Sequence, residues 1–124
     1  MALSTYIANK ILDAILNATT LTGITNVYIS LHTADPGLTG ASEVTGGSYA
    51  RQLASFETAA SKASQTDAVI EFAGMPTATI THIGIWDAAS AGNFLWGGTN
   101  SGSQSVSAGN TFRLASGALD VSLT

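Results

Sequence analysis

The stretch VYISLHTADPGLTGASEVTGGSYAR, residues 27–51, restricts this chain more than any other because its pattern admits only strand, loop and strand. Val27, Ile29 and Leu31 fall on alternate positions, so an extended segment over 27–33 is apolar on one face and mixed on the other. Asp35-Pro36-Gly37 then stops it. Pro36 offers no N–H and biases Asp35 towards extended geometry, while Gly37 tolerates positive φ. Further glycines at 40, 46 and 47 keep the chain turning until Tyr49-Ala50-Arg51 resumes a strand. The expectation is a sheet from which the 35–47 loop projects, and loops carried on rigid scaffolds are where recognition commonly sits.

The rest of the chain repeats this grammar. Alternating runs bounded by Gly, Ser and Asn predict strands near 49–56, 68–73, 79–86, 94–97, 104–108, 111–114 and 118–123. Several short strands with such turns predict a mainly β domain, a β-sandwich or jelly-roll-like fold of about eight antiparallel strands. Residues 57–66, ETAASKASQT, read as a loop with a helical turn, and 99–105, TNSGSQS, as a flexible turn. Trp86 and Trp96 are expected to face each other across a hairpin.

One helix precedes the strands, over 3–17, with Ser4 as its cap. Placed at about 100° per residue, Leu3, Ile7, Ala8, Ile11, Leu12, Ala14, Ile15 and Leu16 span about 220° of its circumference, wider than a surface helix needs. The excess implies a second surface to lie against, another copy of the chain or the particle beneath it. The 124 residues suit a single domain, with the helix and connector over 1–20 and the β-sandwich over 21–124.

Composition narrows the partners. Only 10% of residues are charged, against 45% hydrophobic, and a surface of Ser, Thr, Gly and Ala loses little when covered by neighbours. Net charge is −4 with no basic cluster, so neither DNA nor RNA is an expected partner. Cysteine is absent, and the N-terminal apolar pattern is broken by Asn9, Lys10 and Asp13, so neither a signal peptide nor a membrane span is expected.

Four segments carry a resemblance: MALSTYIANKILDAILNAT, VYISLHTADPGLTGASEVTGGSYARQ, THIGIWDAASAGNFLWGG and SVSAGNTFRLASGALDVSLT. Together they resemble a family of small tailed-bacteriophage virion proteins that are labelled tail-fibre-like, some of them similar to the cement or decoration proteins of capsids. The resemblance spans nearly the whole chain and implies a virion component. No catalytic signature accompanies it: there is no G-x-S-x-G elbow, H-E-x-x-H or Walker loop. His32 and His82 read as ordinary hydrogen-bonded or solvent-facing histidines, and Asp35 as a shaper of its own turn. A non-enzyme without metal or cofactor is therefore expected.

The leading expectation is a capsid cement protein on the outside of a phage head, a homotrimer that binds the major capsid protein or another virion protein. The alternative is a tail-associated fibre, tip or baseplate protein, in which Trp86, Trp96 or Tyr49 would stack on a host glycan. Leu3, Ile7, Ile11 and Ile15 are the expected assembly residues. Asp35, Pro36, Glu43, Tyr49 and Arg51 are expected to make the loop's contacts with a partner.

Overall fold

The computed structural model describes residues 2–123, so Met1 and Thr124, at the ends of the expected 1–124 domain, lie outside the described residues. Nine strands and one helix occur among them: β1 (Ala2–Leu3), α1 (Thr5–Leu16), β2 (Val27–His32), β3 (Gln52–Ala54), β4 (Ala63–Gln65), β5 (Ile70–Phe72), β6 (Ala78–Trp86), β7 (Phe94–Val106), β8 (Phe112–Leu114) and β9 (Asp120–Ser122). The mainly β class with one N-terminal helix is as expected. A five-stranded antiparallel sheet runs β1-β7-β6-β2-β3, and two ribbons, β4-β9 and β5-β8, complete the strands.

Register divides the sheet into two faces. Ile29 lies opposite Ile85, Leu31 opposite Ile83, and Ile85 opposite Trp96, so these share one side with Val27 and Leu3. Directly paired residues stand on the same face of an antiparallel ladder. That face is the core face: Ile29, Leu31, Ile83 and Ile85 are buried together with Ile70 and Phe72 of β5 and Phe112 and Leu114 of β8. Ser30, His32, Gly84 and Trp86 occupy the opposite face.

The two tryptophans consequently do not meet. Trp86 pairs with Phe94 and Trp96 with Ile85, on opposite faces, across a register shift between Ile85 and Trp86. The bulge inserts one residue, and parity sends the indoles apart.

Two polar segments expected as loops are strands. Ala63–Gln65 pairs with Asp120–Ser122, joined to 57–60 by a tight turn at Ser61-Lys62. The 99–105 segment continues β7 as one strand through Val106, its end held by Thr79–Ser105 and Ile80–Gln104 pairing. Main-chain bonding to a long partner strand outweighs the weak propensity of Gly and Ser there.

The helix is shorter than expected, because Leu3 belongs to β1 opposite Trp96. Ser4 is the cap, its Oγ accepting from Ile7 N at 3.3 Å while its own N–H donates to Leu95 O at 2.8 Å. The helix is therefore tied to the sheet at its first turn. It ends at Asn17, whose N–H donates to Asp13 O, with Ala18 at φ 51° turning the chain away.

Candidate functional site

The 35–47 loop does not project; it is folded over the Trp86 face of the sheet. Pro36 is buried, and a Cβ on Gly97 would stand 2.7 Å from Pro36 Cγ, so the loop rests directly on backbone. Asp35 is exposed and shapes the turn, its Oδ1 accepting from Gly37 N at 2.8 Å.

Arg51 is the clamp that holds this arrangement. Its Nε and Nη2 donate to Glu43 Oε1 and Oε2, each at 2.9 Å, in the two-pronged geometry that suits guanidinium and carboxylate. Nη1 reaches Ala88 O at 3.1 Å and Ala91 O at 2.8 Å, so the same group fixes the turn between β6 and β7. The guanidinium lies 3.6 Å from the Trp86 ring centroid, a cation–π stack. Tyr49 finishes the cluster: its hydroxyl donates to Glu43 Oε1 at 2.9 Å and accepts from Leu31 N at 3.0 Å, and burial pushes its pKa up.

Beneath the loop runs a buried polar chain whose proton positions follow from donor and acceptor capacity. Trp86 Nε1 only donates, here to Ser30 Oγ at 2.9 Å. Ala41 O only accepts, here from His32 Nδ1 at 2.7 Å. The remaining contact, Ser30 Oγ to His32 Nε2 at 2.7 Å, must then carry the serine proton, with a neutral imidazole accepting. Desolvation holds the His32 pKa below its ordinary value, in agreement with that tautomer. His32 is thus a pin for the loop. The signal in the sequence was its place on the Ser30 side of β2; its bond to Ala41 was not readable.

His82 bonds Thr81 through Nδ1 and stays apart from this chain. Among the described residues no group of three or more His, Asp and Glu side chains can hold a metal ion. Trp86 has one ring face under Arg51 and its edge on Phe94, 5.2 Å between centroids, so it presents no open platform for a sugar.

The helix residues fall into two groups. Ile7 is buried in the core, with Leu3 and Ile11 packed against it. Ile15 is 71% exposed, and Leu12 and Leu16 stand beside it at 53% and 73%. The outward apolar surface is therefore the C-terminal half of α1, where Leu12 and Leu16 join Ile15 as candidates.

A second apolar feature was invisible in the sequence. Between the core face of the sheet and the β4-β9 ribbon lies a groove of about 310 Å³, walled by Val27, Phe56, Ile85, Trp96 and Val121. Lys62 lines it as well, and Trp96 Nε1, buried there, has no hydrogen-bond partner.

A charge-poor β fold with a pinned loop, a greasy helix end and an apolar groove has the makings of an assembly protein, one whose surfaces meet other chains. The chain belongs to the family of the podophage GP4 fiber I protein gp80, whose family model matches residues 2–122. It is accordingly a phage virion structural protein of the tail-fibre-like kind and a component of the particle. A comparison with curated proteins returns no match. No helix among the described residues is long and apolar enough to cross a membrane.

Proposed function

We propose that this chain is a tail-associated fibre component, a structural part that joins copies of itself and other virion proteins. The observation that carries the reading is the match of residues 2–122 to a family described as a fibre protein. That description favours the tail over the capsid-cement role. The geometry supports a rigid connector: the loop expected to reach for a partner is fastened by Arg51, Glu43, Tyr49 and His32 to its own sheet. Contacts with neighbours then fall to the exposed end of α1 and to the outer rim of the loop, around Asp35. Mass spectrometry of purified particles tests the assignment. A fibre part should be present in a few dozen copies, whereas hundreds of copies would put it on the head. Particles lacking it should fail to adsorb while their heads withstand heat; fragile heads with normal adsorption would reverse the assignment.

A further inference from the structure

We propose that the groove between the sheet and the β4-β9 ribbon receives the C-terminal half of α1 from a second copy of this chain. The inference deepens the fibre reading by naming the partner of the helix surface, and it rests on that reading only for the supply of neighbouring copies. Both halves of the contact are present in one chain. The groove, about 310 Å³, is roughly twice the ~150 Å³ of a cavity that holds benzene, so it has room for two aliphatic side chains. Ile15 and Leu16, 71% and 73% exposed, are adjacent aliphatic side chains with nothing of their own fold over them.

Polarity matches as well. The helix end is electronegative: Asp13 lies on it, its last-turn carbonyls lack intrahelical partners, and no basic residue stands in that turn. Lys62, one of the residues that line the groove, brings a cation to such an end. Among the described residues neither Asp13 nor Lys62 forms an ion pair within the chain. Lys62 is also held in place at a conformational cost. Ser61 and Lys62 both have positive φ, 52° and 68°, in a two-residue turn closed by Ala60 and Ala63, a turn in which glycine is favoured. Because helix end and groove are different patches, the contact is heterologous, and copies join head to tail into a closed ring, such as a trimer, or an open series.

The test uses the purified full chain and sedimentation. Wild type should sediment as an oligomer. Ile15→Asp/Leu16→Asp destroys the inserted end, and Ala59→Trp fills the groove from an exposed position on its lining. Each variant should run at the monomer mass of 12.6 kDa with an unchanged circular dichroism spectrum. Mixed one to one, they should form a dimer of twice that mass and nothing larger, since only one intact end and one intact groove remain. Should either variant misfold, the surface swap decides: Lys62→Glu and Asp13→Lys should each weaken association severalfold, and the double variant should recover it. A wild-type monomer at millimolar concentration, an Ala59→Trp protein that associates like wild type, or a mixture that stays monomeric overturns the proposal. A wild-type monomer that nevertheless occupies the tail of the particle would sink self-docking and leave the fibre assignment standing.

Discussion

Replacing Arg51 with methionine should set the Arg51–Glu43 ion pair apart from the more exposed Arg113–Glu71 pair, the two found among the described residues. Methionine keeps an unbranched stem over Trp86 but removes three kinds of contact: the two-pronged bond to Glu43, the donations to Ala88 and Ala91, and the cation–π stack. The Arg51 and Glu43 side chains are 9% and 20% exposed, so solvent compensates only part of the charge left behind on the carboxylate. Stranding a fully buried partner costs about 3–5 kcal/mol. Partial exposure of Glu43 and its surviving bond from Tyr49 bring the expected loss to about 3 kcal/mol. With an unfolding entropy of about 2.1 cal/mol/K per residue, 124 residues give about 0.26 kcal/mol/K, so the melting temperature should fall by about 12 °C. Calorimetry of Arg51→Met, Glu43→Gln and the double variant should return a coupling of about 1.5 kcal/mol or more. The Arg113–Glu71 pair, 3.8 Å apart and 64% and 59% exposed, is the internal control and should show about 0–1 kcal/mol. A coupling at Arg51–Glu43 no larger than that of the control would refute the clamp.

Three further outcomes follow from the same packing. Gly84→Ala places a methyl 2.6–2.7 Å from Ser30 Oγ, His32 Nε2 and Phe94, so it should destabilise by about 1–3 kcal/mol in denaturant titration although alanine is the better strand residue. Ser4→Ala removes the cap bond to Ile7 N and should cost about 1 kcal/mol, read by the same titration. Because burial lowers the His32 pKa from 6.5, the unfolded chain takes up the proton first as pH falls. The stability His32 contributes is thus complete above 6.5 and lost as pH drops through the folded value, with a slope of at most about 1.4 kcal/mol per pH unit. His32→Gln should flatten that slope in urea midpoints measured between about pH 7.5 and 5.5.

What was readable beforehand divides along the range of the interaction that decides it. Val27, Ile29 and Leu31 announced a strand because side-chain alternation is local, and Ser4 announced a cap because its partner is three residues away. Ala63–Gln65 and the 99–105 run looked like loops because their strand character comes from pairing with distant segments, residues 120–122 for the first and β6 for the second. The Asp-Pro-Gly stop and the glycines made the 35–47 loop look as if it projects, whereas its anchors, His32 to Ala41 and Arg51 to Ala88, join positions whose proximity no local pattern reveals. Along α1 the periodicity laid out one apolar arc but could not divide it, so it could not tell that Ile7 is enclosed while Leu12, Ile15 and Leu16 are not. The groove arises from two chain segments far apart in sequence, Val27 and Val121 among its walls, and left no trace in either.

The most direct test of the whole account is a reconstruction of the intact particle at a resolution that shows helices. Density for this fold should appear on the tail, with the α1 end of one copy seated against the β4-β9 ribbon of the next. The same fold found on the capsid shell, or on the tail with the groove empty and α1 packed elsewhere, would contradict the assignment in the first case and the self-docking in the second.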